Sequence, residues 1–549
     1  MSKSYIGITI GPIFETMNLV SSPAALWTSS YMFSSVTKKL CEVLVSVYKV
    51  RAEDIISPYF DNEYTFSRKD GVGLYHDRVI FVKPDSFNID NIRKIKETVV
   101  DSLVNTFFGD IQINGTIYSV DKEKVTTYLS EYIMIAAAEF SAEEKENISL
   151  KCGKIMDSLE LAKNFVADES QNYILDRFTG KSENEGLANE KAEVKGKNDL
   201  IKKVVSEKLN QSEWQLLDKY GQIKDLPSIA KSDNTGKKYN NYCVLFRADG
   251  DNIGEIIGGL AERKDEKTGK VTSAEERTRE FSKTCMKYCM EAADLVKKYG
   301  GVTIYSGGDD LLAILPCKGQ IKSNESESYC DGTFIGFAEN LKTCFNENFR
   351  TYIDEIKEFN KKTENSEERK RVPSLSTGAF VFYKKFPLYE AVEKSIGVLF
   401  DVAKTKKNCL AIRLQKHAGQ SVELLIPNEK LGKIKELENA VFKKDGNKAD
   451  DALLSAMHKI TLFSSLLEAA DLTEDKEKSV KNIFKNMFDA ASHKDNDFVH
   501  KTLPDKYNEL CDSNGISSPL KIDDKKISKP EIFSALLRLM KFFTEKGED

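Results

Sequence analysis

Long apolar runs are missing from this 549-residue chain: no stretch approaches the ~20 consecutive apolar residues that span a bilayer. Its opening, MSKSYIGITIGPIFETMNL, carries one Lys and an apolar run broken by Pro12 and Glu15, which predicts a strand rather than a signal peptide. None of the 10 cysteines forms a CxxC, so the paired-thiolate pattern of a structural zinc site is missing too. Cys285 and Cys289 lie four apart on one helical face and are expected to pack in a core. Without an export signal a disulfide framework is out of place; a reduced, cytoplasmic chain with no membrane contact is expected. The 12 prolines and 31 glycines are too few for collagen-like or Pro-rich linker chains. Neither sign of charge prevails: 81 Lys+Arg against 86 Asp+Glu leave −5, which excludes a polycationic arm.

Core material, by contrast, is ample. Residues that are 40% hydrophobic and 10% aromatic exclude wholesale disorder, and the length suits roughly three to five domains. Residues 1–117 suggest a compact α/β unit. Strands over 5–13 and 77–82, helices over 23–50 and 88–108, and a closing strand near 111–119 follow the split βαβ order of ferredoxin-like folds. Residues 118–235 suggest a helical connector, from patterns such as VTTYLSEYIMIAAAEF, with a polar patch at 181–200 expected to be a solvated loop. From 236 to 426 the βαββαβ order returns. A strand covers 242–248, a helix 280–299 stops at Gly300-Gly301, and a hairpin joins 302–305 to 311–315. A helical insertion at about 331–361, a strand over 375–382, a helix over 387–404 and a strand over 408–414 complete it. Residues 427–549 show no strand-like run and suggest a helical bundle, with 452–470 and 530–543 its clearest helices; Leu453, Met457, Leu462 and Leu466 are expected in its core first, with a docking surface as the second reading. The expected class is α+β: two ferredoxin-like domains, a helical connector and a C-terminal helical bundle.

Chemistry concentrates in two motifs, ADGDN at 248–252 and YSGGDD at 305–310. In a ferredoxin-like sheet the first strand and the following hairpin are neighbours. Asp249 and Asp251 can therefore meet Asp309 and Asp310 at one sheet edge. Hard divalent cations take oxygen ligands, and Mg²⁺ is typically held by one or two carboxylates plus substrate phosphates. Two such ions can activate a ribose 3′-hydroxyl and stabilise a transferring phosphoryl group. Gly307 and Gly308 permit positive φ and close approach of a triphosphate. Either motif alone is also good turn chemistry. Their pairing in this element order is what favours catalysis.

The run YSGGDDLLAIL, after ADGDN and before LSTGAFVFYKKFPLYEAVEKSIGVLFDVAKTKKNCLAIRLQKHAG, resembles the polymerase palm of the large subunit of type III CRISPR-Cas effector complexes, of type III-B kind. IGPIFETM and PAALWTSSYMFS likewise resemble that family's first, degenerate palm, so the likeness spans nearly the whole chain. It implies a nucleotidyltransferase that converts ATP into a nucleotide second messenger when target RNA is bound. The product would be a cyclic oligoadenylate, or an AMP conjugate such as one with S-adenosylmethionine. Carried onto this chain, the resemblance makes Asp309 and Asp310 catalytic and sets Asp249, Asp251, Asp309 and Asp310 as metal ligands. Ser306, Gly307, Gly308, Lys404 and Lys407 (the lysines of AKTKKN) become nucleotide contacts. Two Mg²⁺ or Mn²⁺ ions are implied and no zinc. The implied partners are ATP, CRISPR RNA and target RNA, in a ribonucleoprotein with backbone, stalk and small subunits. No basic patch with interleaved aromatics stands out, so RNA contact is expected to be shared with those subunits. The lysine runs at 359–372 and 473–486 suggest solvated helix faces.

Two departures from the family pattern matter. Many members begin with an HD nuclease domain, whereas this sequence opens at the first palm. Its only His-Asp dipeptide is His76-Asp77, and the other histidines, at 417, 458, 493 and 500, lack HD spacing; DNase activity is not expected. The first palm also lacks the acid pair and carries RKDGVGLYHDR at 68–78. There Asp70, Gly71, Gly73 and Arg78 are candidates for a second-substrate wall, with an ordinary Gly-containing hairpin as the alternative. Two rival readings are a free-standing GGDEF-like cyclase and a catalytically silent scaffold subunit. GGDD-Leu and the two-palm layout disfavour the first. Four clustered carboxylates, which repel one another without a cation, disfavour the second.

Overall fold

The computed structural model describes residues 2–547, apart from 18–19, 64, 114–115, 144, 162–198, 200, 265–268, 320–331, 418, 443–447, 489–495, 520 and 523–524. The polar patch at 181–200 thus lies almost wholly outside the described residues, save Asp199. In the first palm, β1 (Ser2–Gly11) is followed by α1 (Pro23–Ser46). Pro23 opens that helix and the Ser22 side chain accepts from the Ala25 N–H, so cap and ring both favour a start there. Next come β2 (Ile55–Ser57), β3 (Arg78–Val82) and α2 (Asn91–Phe107), whose buried residues recur at helical spacing.

The closing strand differs from expectation. Residues 111–118 form a separate hairpin, β4 (Ile111–Ile113) with β5 (Thr116–Tyr118). After α3 (Lys122–Tyr132), the segment β6 (Met134–Glu143) pairs antiparallel with β1 along its whole length, giving the sheet order β2-β3-β1-β6. The sheet therefore continues past residue 117, into what the sequence pattern made a helical connector. The run IMIAAAEF carries small apolar residues compatible with either element, and the long ladder with β1 overrides the helix propensity of its three alanines. Helix α4 (Ile148–Leu161) then packs across β1 and β6.

The second palm repeats the topology. The elements β7 (Tyr242–Asp251), α5 (Ile253–Gly258), a two-residue hairpin β8 (Arg263–Lys264) and β9 (Val271–Thr272), and α6 (Ala274–Tyr299) lead to β10 (Val302–Gly307) and β11 (Asp310–Pro316). Helices α7 (Phe334–Asn348) and α8 (Arg350–Lys362) precede β12 (Ser374–Tyr383). Then α9 (Leu388–Gly397) widens to a π turn over Val398–Ala403 and ends with Lys404–Lys406. The strands β13 (Cys409–Gln415) and β14 (Ser421–Pro427) extend the sheet to β10-β11-β7-β12-β13-β14. Without β13 and β14, this is the order of the first sheet.

Side-chain alternation along β7 divides the interior. Val244, Phe246 and Ala248 join the core made with α6, α7 and the C-terminal helices, whereas Cys243 and Leu245 join the core of the first palm. Cys285 and Cys289 are buried in the former.

The C-terminal region comprises α10 (Leu431–Phe442), α11 (Lys448–Leu462), α12 (Ser464–Ala470), α13 (Lys476–Met487), α14 (Leu503–Leu510) and α15 (Lys529–Thr544). A small hairpin, Lys521–Ile522 with Lys525–Lys526, corrects the expectation of no strand there. The stripe expected in the core splits: Leu453 is buried and Met457 partly so, but Leu462 and Leu466 are 67% and 53% exposed. Leu462 lies roughly half a turn round α11 from Leu453, and Leu466 follows the break at Phe463. Among the described residues no helix is long and apolar enough to cross a membrane.

Candidate active site

The acids converge at one end of the second sheet. Residues 247, 249 and 251 share a face of β7, and β11 pairs with β7 from Leu311↔Ala248 onward, which sets Asp310 beside Asp249. The hairpin turn is built for this: Gly308 has φ +68° with open space around it, and Cys289 Sγ on α6 donates to the Gly308 carbonyl at 3.4 Å. At Gly250 a Cβ would stand 2.5 Å from Asp309 Oδ2, so only glycine lets the turn close over β7.

The four acids divide by environment. Asp251 is 1% exposed and fully engaged: Ser374 and Ser376 hydroxyls donate to it at 2.8 Å and the Asn408 N–H at 2.8 Å. The backbone pays for that last bond, because Lys407 and Asn408 take φ values of +62° and +50°. Asp249, Asp309 and Asp310 stay half-buried. Burial pushes Asp309 up to about 6, helped by the Asp249 charge. Burial likewise raises Asp310 well above the carboxylate range, with Asp309 and Asp249 adding to it. Burial also raises Asp249, against the pull of Lys404. Three crowded carboxylates that hold protons this readily are a site short of positive charge.

Lys404, carried inward by the π turn, is the cation supplied by the chain. Its Nζ lies 2.8 Å from Asp249 Oδ1 and 3.2 Å from Asp251 Oδ1, and donates to the Asp249 and Gly250 carbonyls at 3.0 and 2.7 Å. Gly378 on β12 makes room for that turn, since a Cβ there would sit 2.9 Å from the Leu399 nitrogen. Lys407 donates to Asn252 Oδ1 at 2.7 Å and lines a cavity of about 500 Å³ with Arg350, Asp354 and Lys357.

Not every expected contact faces this space. Ser306 is fully buried and donates to the Cys289 carbonyl at 3.1 Å, so it braces the turn rather than meeting a nucleotide. A Cβ on Gly307 would strike the Tyr305 ring. Arg247, which the motifs did not signal, lies buried under the acids and donates to Ser395 Oγ; burial lowers its guanidinium to about 10, against the Asp310 charge. Its place two residues before Asp249 on the same strand was the available clue.

The second-substrate wall is corrected. Asp70 is 4% exposed and binds Arg68 at 2.6 and 2.8 Å and Gln215 at 3.0 Å, while Arg68 also meets Asp294 of α6 at 2.7 Å. Gly71 packs under Trp214 and Trp27, and Gly73 against Ser34. Arg78 is paired with Asp157 and Glu160 of α4. These residues clamp elements together; they present no free wall. His76 is likewise structural, its Nε2 3.2 Å from Ser57 Oγ, and burial lowers it to about 4.

Among the described residues no three His, Cys, Asp or Glu side chains form a ready-made metal cage. The donor chemistry nonetheless fits a hard divalent ion: carboxylates of Asp249, Asp309 and Asp310, with Asp251 held back as an anchor.

Comparison with known proteins accords with this geometry. Residues 242–411 match the family model described as Cas10/Cmr2, second palm domain. No curated protein matches the chain in sequence. In fold, the chain is similar to the large subunit in the apo type III-B Cmr-beta structure, at TM-score 0.59 and 12% identity, covering 99% of this chain and 82% of that one. Csm1 in T.onnurineus follows at 0.52 and 10%, covering 99% and 69%, and a Csm1-Csm4 cassette in complex with cA4 at 0.51 and 11%, covering 99% and 70%. The segment 242–411 thus matches the Cas10/Cmr2 second palm, in a chain whose fold is similar to that of the large subunits of type III CRISPR complexes.

Proposed function

We propose that the chain is a target-RNA-activated nucleotidyltransferase, acting in a type III effector complex, that joins nucleotides from ATP into a second messenger. The observation that carries this is the convergence of Asp249, Asp309 and Asp310 around Lys404 at one sheet end. The similar structures solved with cA4 and with pppApA support the product class, and the Cmr-beta structure bound to cognate target RNA supports the assembly. In the reaction class, a ribose 3′-oxygen attacks the α-phosphorus of ATP, a phosphodiester forms and pyrophosphate leaves.

Asp249, Asp309 and Asp310 would hold Mg²⁺ or Mn²⁺, which when bound supplies charge for the phosphoryl oxygens and lowers the pKa of the attacking hydroxyl. The chain's own groups orient the substrate. Gly308 leaves space for a phosphate at the turn, and Lys407, Arg350 and Lys357 make the neighbouring cavity attractive to a triphosphate. Lys404 keeps the Asp249–Asp251 segment in place through its two carbonyl contacts. Asp251 fixes the strand end without needing to reach the substrate.

The test is incubation of the chain, alone and in its complex with and without target RNA, with labelled ATP and Mg²⁺, followed by mass spectrometry of the products. A new phosphodiester product made only with target RNA is expected. Product formation by the isolated chain would favour a free-standing cyclase, and none under any condition a silent scaffold.

A further inference from the structure

The end of the second sheet opposite the acids carries a groove that the reaction above does not use. β12 runs from Ser374, paired with Asp251, to Tyr383, paired with Tyr242. At ~3.3 Å per residue the two ends stand ~30 Å apart. Two cavities of about 770 and 290 Å³ open at the far end and adjoin at Tyr383 and Lys385, which line both. The corner between them is fixed by backbone bonds, from the Phe386 N–H to the Tyr383 carbonyl and from the Lys384 N–H to the Asn241 carbonyl.

Lys231, Lys237, Lys384, Lys385 and Lys416 line the two cavities, and none is ion-paired among the described residues. Lys237 and Lys384 donate to neutral oxygens of Thr544 and Asn241. Among the described residues the single acid in the lining is Asp233, which donors from Thr235, Tyr239 and Asn240 keep ionised, so five cations face one anion. Five unpaired cations on a chain of net charge −5 are a local reversal of its field. Two aromatic side chains stand among them: Tyr383, held against Tyr242 and His417, and Phe386, held against Phe380. Cations spaced along a groove with half-buried, fixed aromatic rings in its lining match a backbone of phosphates with bases beside it. An acidic protein surface would use the lysines and leave the aromatics idle.

We propose that this groove binds single-stranded RNA. The choice of RNA over DNA rests on the reading that the chain works beside an RNA target; the groove itself does not depend on it. The test is fluorescence anisotropy of the full chain with a labelled oligo(U) of about 12 nucleotides, within the span of known single-strand sites. Lys231→Glu, Lys385→Glu and Lys416→Glu are combined in one variant, whose fold is checked by circular dichroism. Binding at least tenfold weaker is expected. The log–log salt slope should be shallower by about 2, at ~0.7 for each phosphate that is no longer neutralised. Wild-type affinity and slope in the variant would overturn the proposal. Tighter binding of oligo(dT), or displacement of the RNA by polyglutamate at equal charge, would overturn it as well, the latter in favour of an acidic protein. The chain with Asp309→Ala and Asp310→Ala should bind the RNA as the wild type does. If the lysines govern RNA binding while the wild-type chain makes no product in its complex, the nucleotidyltransferase reading falls and the groove stands.

Discussion

At the scale of single residues, the decisive fact is that the acids on this sheet end do different work. Asp251 accepts from Ser374, Ser376 and Asn408, whereas Asp309 has only backbone N–H donors and Asp310 is crowded by the charges of Asp309 and Asp249. Asp309→Ala with Asp310→Ala should therefore lower nucleotide synthesis on the order of a thousandfold, the scale of several kcal/mol of transition-state stabilisation. The same change removes crowded charge, so the melting temperature should not fall. Retention of a tenth of the activity, or a marked drop in stability, would contradict the assignment. The pH response follows from the same crowding. Asp309 in the fold takes up its proton near 6, above its unfolded value near 4, so the folded state binds more protons in that window. Its contribution to stability is present below about pH 4 and is lost as pH rises through about 6. Bound Mg²⁺ displaces the proton, so thermal melts should show Mg²⁺ stabilising the chain at pH 7.5 and little at pH 5.

At the scale of elements, legibility followed the strength of local signals. The β10–β11 hairpin was plain because Gly307-Gly308-Asp309-Asp310 sits between two apolar runs, and α6 because Gly300 stops it with φ +90°. β6 was missed because alanine-rich 134–143 has no strand signature of its own and becomes a strand only through its partner β1. The 68–78 segment misled for a related reason. Gly71 and Gly73 suggest a ligand approach in sequence, but what approaches them is Trp214 and Ser34. Asp70 belongs to that clamp. Burial alone would raise its carboxyl, yet Arg68 and Gln215 hold it below its usual value. Asp70→Asn should leave Arg68 buried with Asp294 as its one remaining acid, at a cost of roughly 2–4 kcal/mol. Urea titration reads that cost, and the product made per folded molecule should be that of the wild type. A changed product with unchanged stability would restore the second-substrate wall.

At the scale of the whole molecule, the two palms share one buried apolar cluster and a set of polar contacts, and no local pattern announces either. The same holds for the far-end groove, whose lysines come from three separated stretches of chain, around 231–237, 384–385 and 416. Arg279 of α6 supplies polar contacts of the joint between palms. Its guanidinium donates to the Ala52, Ile55 and Phe60 carbonyls at 3.1, 2.5 and 2.8 Å and lies 4.4 Å from the centre of the Tyr59 ring. Next to it, the Tyr59 N–H donates to Ser282 Oγ at 2.7 Å. Three carbonyls on one side chain make a fork that lysine cannot reproduce. Arg279→Ala leaves those carbonyls without their donor, and each one costs about 1–3 kcal/mol when water cannot replace it. The effect falls on the contact between the palms, because Arg279 belongs to α6 and its three acceptors to the first palm. The expected result in calorimetry is a first-palm transition that separates to lower temperature while the second palm melts as before. Arg279→Lys should lie between the two. A single transition at the wild-type temperature in the alanine variant would show that the palms are held together by their shared apolar face alone, through Cys243, Leu245 and the residues they meet across the junction.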